Sequence, residues 1–138
     1  MQPLLDQLKG LDVLAGAEMG GRSVQLQPIP GHTPVIQVSI EGRDELPIFV
    51  TSSDMQIICI CYLWGEEEVK PARRTELLES LLDLNPSVPL SSFGRVDGRY
   101  VLTGALGRDA SVQDIAREVA VLSDNALDAL DALSEFLN

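Results

Sequence analysis

Ser91 and Ser92 lie in the stretch NPSVPLSSFGRVDGRY, residues 85–100, and are the first pair in the chain whose type and setting invite a search for nucleophilic chemistry. A serine nucleophile needs a base within hydrogen-bond reach and a turn that exposes its oxygen. Neither serine occupies a Gly-x-Ser-x-Gly elbow. Downstream, Asp97-Gly98 favours a two-residue type I′ turn, because both central residues of that turn take positive φ. The stretch therefore reads as a hairpin in which Val96 faces Arg99, Arg95 faces Tyr100, Gly94 faces Val101, Phe93 faces Leu102 and Ser92 faces Thr103. Adjacent strand residues point to opposite faces, so the two serines cannot act together on one substrate. Pro89 puts the first strand of the hairpin at an edge or at its start.

The remaining chemistry-bearing residues are sparse. His32, the single histidine, sits in the PIPGHTP loop, residues 28–34, without a nucleophile or an orienting carboxylate at a recognisable spacing. The clusters that an enzyme would have to draw on are His32, Arg43, Asp44, Glu45, Arg73 and Arg74. Cys59 and Cys61 are two apart in a strand-like run, on one face and with α-carbons roughly 6.6 Å apart. That spacing suits a disulfide poorly, and two thiols with one histidine fall short of four zinc ligands, so both cysteines are expected in the core. Gly16, Gly20 and Gly21 match neither phosphate-binding glycine pattern. No catalytic residue, metal or cofactor is expected.

A formal net charge of −11 among 138 residues repels phosphate backbones and anionic head groups, which argues against nucleic-acid binding and suits a basic protein partner. The longest apolar run, Ile57 to Trp64, is too short to cross a bilayer, and the N-terminus lacks the pattern of a signal peptide. A cytoplasmic protein of one domain, 1–138, without direct membrane insertion is the expectation.

The elements that must position these residues follow from periodicity. Leu4, Leu8 and Leu11 mark a first helix, and alternating strands run from Arg22, over Ile36 to Ile40, and over Leu46 to Val50. In MQIICICYLW, residues 55–64, Met55, Ile57, Cys59, Cys61 and Leu63 form one apolar face and Ile58, Ile60, Tyr62 and Trp64 the other. Such a strand belongs at the centre of a sheet, with helices over one face and a further helix or a second subunit over the other. Pro71 suits the start of a helix with Leu77, Leu78, Leu81, Leu82 and Leu84 on its apolar face, and the acidic run Glu66–Glu68 is placed to pair with Arg73 and Arg74. Ser111 and Asp114 cap a last helix, in which Ser123-Asp124-Asn125 is a point of possible bending. The expected class is α+β, an antiparallel sheet of five to six strands with three helices in the order α-β-β-β(-β)-α-β-β-α.

The segments GRDELPIFV (42–50), VKPARRTELLESLLDLNPSVPLSSFG (69–94) and DNALDALDAL (124–133) resemble the bacterial YjfI family. Its members are often encoded beside PspA-like proteins that remodel and protect membranes, so the resemblance implies an accessory role in envelope stress and no catalytic residues. The element order separately resembles the type III secretion chaperone fold, which includes the YbjN-like proteins and is usually dimeric. The leading expectation is a non-enzymatic adaptor, homodimeric, with a basic partner such as a PspA-like coiled coil. Its contact residues are expected to be Ile58, Ile60, Tyr62 and Trp64 on the second apolar face and Asp124, Asp128, Asp131 and Glu135 on the acidic last helix, where 128, 131 and 135 share a face. A secretion-type chaperone for an unfolded effector segment is the alternative, and a small enzyme of unknown reaction the second.

Overall fold

The computed structural model describes residues 2–138. Two short helices open it, α1 (Gln2–Gln7) and α2 (Leu11–Glu18), where the leucine spacing predicts one. Gly10 divides them with φ at 88°, a left-handed conformation that glycine enters without a Cβ clash. Leu4, Leu8, Leu11 and Ala15 nevertheless enter one core. The strands β1 (Val24–Ile29), β2 (Val35–Ile40), β3 (Ile48–Ser52) and β4 (Gln56–Gly65) follow. After helix α3 (Arg74–Leu84) come β5 (Ser92–Val96), β6 (Arg99–Gly107) and the long helix α4 (Val112–Ala132).

The six strands form one sheet of antiparallel neighbours in the order β1-β2-β3-β4-β6-β5. The β5–β6 hairpin has the register read from its turn, Val96 opposite Arg99 through Ser92 opposite Thr103, with Asp97 at φ 50° and Gly98 at φ 75°. Strand β4 is central, between β3 and β6, as its two apolar faces require. Its Ile57, Cys59 and Cys61 join Ile36, Val38, Ile48, Val50 and Leu102 in a core with Ile115, Val119, Leu122 and Ala126 of α4. Burying each of the larger of these side chains stabilises the fold by about 1.5–3 kcal/mol.

Helix α4 runs unbroken through Ser123-Asp124-Asn125, and those side chains act as ties to distant loops. Arg43 Nη1 donates to Ser123 Oγ at 2.7 Å and to Asp124 Oδ1 at 2.8 Å, anchoring the β2–β3 turn. Asn125 Nδ2 donates to the Pro89 carbonyl at 2.9 Å and to Ser91 Oγ at 3.0 Å. At the helix start the Asp114 amide donates to Ser111 Oγ at 3.1 Å, the cap read from the sequence.

Candidate partner-binding surfaces

Strand β4 pairs Tyr62 with Val101 but Trp64 with Tyr100, so Leu63 is an extra residue, a β-bulge. Strict alternation places Trp64 beside Ile58, Ile60 and Tyr62; the bulge instead turns it to the helix-covered side. There Trp64 is 2% exposed and stacks on Tyr100, with ring centroids 5.7 Å apart. Trp64 is therefore removed from the expected contact surface.

The other three stay together on the second face. Ile58 and Ile60 lie opposite Thr51 and Phe49 of β3, and Tyr62 opposite Val101 of β6. Phe49 and Tyr62 meet edge to face at 5.8 Å, and the Arg99 guanidinium lies 4.5 Å above the Tyr62 ring. Ile58, Ile60, Tyr62, Val35 and Phe49 are half-buried and outside the main core, and among the described residues no helix packs over them. A shallow hollow of about 500 Å³ opens on this face, lined by Val35, Phe49, Ile60 and Tyr62 with Glu45 and Arg99 as its charged members.

The acidic set lies elsewhere, because α4 covers the opposite side of the sheet. Asp124 pairs with Arg43 at 2.8 Å, and Glu135 with Arg73 at 3.1 Å. Glu135 does not share a face of α4 with Asp128 and Asp131: the helix ends at Ala132, and Glu135 falls in a 3-10 turn over Ser134–Phe136. Asp128 and Asp131 are exposed and have no ion pair among the described residues. The apolar and the acidic residues thus lie on opposite sides of the sheet.

The remaining polar candidates do not converge. His32 is exposed in the β1–β2 loop and Arg43 begins the β2–β3 turn, at opposite ends of a strand spanning about 20 Å. Arg73 pairs with Glu76 at 2.9 Å as well as with Glu135, and of the two arginines Arg74 takes the partner from the Glu66–Glu68 run. Glu66 accepts from Arg74 Nε and Nη2 at 3.1 Å each, from Tyr100 Oη at 3.0 Å and from Arg95 Nη2 at 2.9 Å. The Arg74 hydrogen bonds, with smaller help from Tyr100 and Arg95, hold the Glu66 carboxyl below the usual glutamate range. Burial, with a smaller push from Glu118, raises the Cys59 thiol to about 12, and burial raises Cys61 to about 11. Neither thiol is a nucleophile at neutral pH. Among the described residues no group of three His, Cys, Asp or Glu side chains is placed to hold a metal ion, and no helix is long and apolar enough to cross a membrane.

One region had no complete signal in the sequence. Of the expected apolar face of α3, Leu77 and Leu81 are buried, while Leu82 and Leu84 are exposed. Leu90 is also exposed and takes φ at 61°, unusual for a bulky residue. Leucines at helical spacing announce a helix but not how much of its face is covered.

The helix-covered six-stranded antiparallel sheet is a type III secretion chaperone-like architecture. Its fold is similar to that of a chain in the heterodimeric complex ExoU–SpcU from the type III secretion system of Pseudomonas aeruginosa, with a TM-score of 0.54 over 92% of this chain and 97% of that chain. Only 15% of residues are identical, so the likeness is one of fold. The chain itself belongs to a bacterial family described as uncharacterized protein conserved in bacteria, DUF2170, whose model matches residues 6–137. No curated protein matches it significantly.

Proposed function

We propose that this protein is a non-enzymatic adaptor that works in the cytoplasm as a homodimer and engages a basic protein partner, a PspA-like coiled coil of the envelope-stress response. The observation that carries the reading is the uncovered apolar face of Ile58, Ile60 and Tyr62, which supports a surface for contact with another chain. Its hollow contains one anion and one cation, Glu45 and Arg99, so a second copy related by a two-fold axis meets complementary charge there. The net charge of −11 supports a basic partner over an acidic one. The YjfI-like resemblance supports the envelope-stress setting. Similarity to a chain from a heterodimeric secretion complex favours a second reading, a chaperone for an effector segment.

Light scattering at tens of micromolar is expected to give a particle of twice 15.0 kDa, and Ile60→Asp is expected to give a monomer. Pull-down with a PspA-like protein is expected at low salt and to weaken at high salt. A monomer in light scattering rejects the dimer, and absence of capture at either salt rejects the partner.

A further inference from the structure

We propose that the groove between α3, α4 and the Leu90 turn docks an amphipathic helix whose apolar stripe is flanked by lysine or arginine. The inference rests on the partner-binding reading and gives it a second surface, distinct from the open sheet face.

Two apolar hollows meet at Phe93. One, about 230 Å³, is lined by Leu84, Val88 and Pro89 on one side and by Ala129 and Ala132 of α4 and Leu133 just after it on the other. The second, about 310 Å³, lies against Leu78, Leu81 and Leu82 of α3 and Tyr100. The first is smaller than a drug-sized ligand needs and the second only just reaches that range, so each suits an inserted side chain.

Large apolar side chains are exposed here: Leu82 at 71% lines the second hollow and Leu84 the first, and Leu90 at 58% follows Pro89 of the first. Leu90 is held in this position against its backbone preference. Its φ of 61° is in the left-handed region, and Asn125, which lines the first hollow, clamps the residues on either side through the Pro89 carbonyl and Ser91 Oγ. Strain retained at an exposed leucine marks a position held for contact.

The charge beside the first hollow is acidic, and Arg95, which lines the second, is already paired with Glu66 at 2.9 Å. Asp128 lines the first hollow, and Asp124 and Asp131, four before and three after it, continue an acidic ridge along α4. Of the three, Asp124 alone has an ion pair among the described residues, to Arg43, so the ridge presents unneutralised carboxylates to an occupant.

The edge strand decides the occupant's form. In this hairpin register the main-chain groups of Phe93 and Arg95 point away from β6, and the Phe93 amide already donates to Asn85 Oδ1 at 2.6 Å. An added β-strand would lose that donor to the cap, whereas a helix binds through side chains and needs no main-chain partner.

The test uses three labelled synthetic helical peptides in fluorescence anisotropy: leucine with lysine, serine with the same number of lysines, and leucine with glutamate. The leucine–lysine peptide is expected to bind at least tenfold more tightly than either control. Ala132→Trp, which fills the first hollow from its exposed rim, and the double change Asp128→Lys with Asp131→Lys are each expected to weaken it at least tenfold, with unchanged far-UV circular dichroism. Ile60→Asp is expected to leave it unaltered. Equal binding of the serine–lysine peptide, insensitivity to both groove variants, or no binding of the leucine–lysine peptide overturns the proposal. A dimer that captures a PspA-like protein but ignores the peptide rejects the groove alone; a monomer that binds the peptide through the groove rejects the dimer alone.

Discussion

Trp64 stacks on Tyr100 with the ring planes 28° apart, a contact that exists because the bulge at Leu63 carries the indole across the sheet. Tyr100 Oη in turn donates to Glu66 at 3.0 Å, so the stack joins the core to the ion-pair cluster around Arg74 and Arg95. Trp64→Ala is expected to cost about 3–5 kcal/mol, read as a fall in the urea midpoint followed by circular dichroism. Trp64 is the single tryptophan, so native fluorescence should be blue-shifted and move to the red on unfolding. A midpoint within experimental error of the parent's would mean that the indole is not packed as described.

Glu118 of α4 is 4% exposed and lies against Gly104 of β6, where an added Cβ would overlap its carboxylate. Gly104→Ala is expected to destabilise the fold, and Glu118→Ala in the same chain to recover part of the loss. The Leu90 carbonyl would still lie 3.1 Å from the new methyl, so recovery stops short of complete. A double-mutant cycle with a coupling energy near zero contradicts the contact.

Burial raises the Glu118 pKa above the ordinary glutamate value. The folded chain then holds the proton more tightly than the unfolded chain, and the associated stability is present at low pH and lost as pH rises through the raised value. Glu118→Gln is accordingly expected to raise the urea midpoint at pH 8 and to change it little at pH 4. Glu66 has the opposite sign: its pKa is lowered, chiefly by Arg74, and its contribution is present at neutral pH and lost on acidification. Glu66→Gln should therefore reduce stability at pH 7 and flatten the acid limb.

Arg43 is 10% exposed, while its partner Asp124 is 62% exposed. Removing the buried end leaves the Ser123 hydroxyl without its donor, so Arg43→Met is expected to cost about 1–3 kcal/mol. Asp124→Ala removes only a solvent-facing carboxylate and is expected to cost less than about 1 kcal/mol. Chemical denaturation of the two variants in parallel checks the order; the reverse order would place the anchor on the helix side.

Cys59 and Cys61 are free and buried. An aromatic disulfide reagent at pH 8 is expected to leave both untouched over minutes in native buffer and to label both in denaturant. Rapid labelling without denaturant would mean that β4 opens to solvent.

The sequence by itself determined the local features: the Asp97-Gly98 turn and its register, the Ser111 cap, the order of the elements apart from the break of the first helix at Gly10, and the central place of β4. Each depends on neighbouring residues whose φ/ψ preferences or periodicity are written in a short window. Tertiary structure alone decided the rest. Because both faces of residues 55–64 are apolar, alternation carried no mark of the bulge at Leu63, and Trp64 was assigned to the wrong side. The partners of Asp124 and Glu135 lie 81 and 62 residues away, at Arg43 and Arg73, so no nearby spacing could name them. Which leucines of α3 are covered, and why Leu90 takes a left-handed turn, likewise depend on how helices and hairpin meet. A pattern along the chain records which side chains avoid water, but only packing settles what they meet.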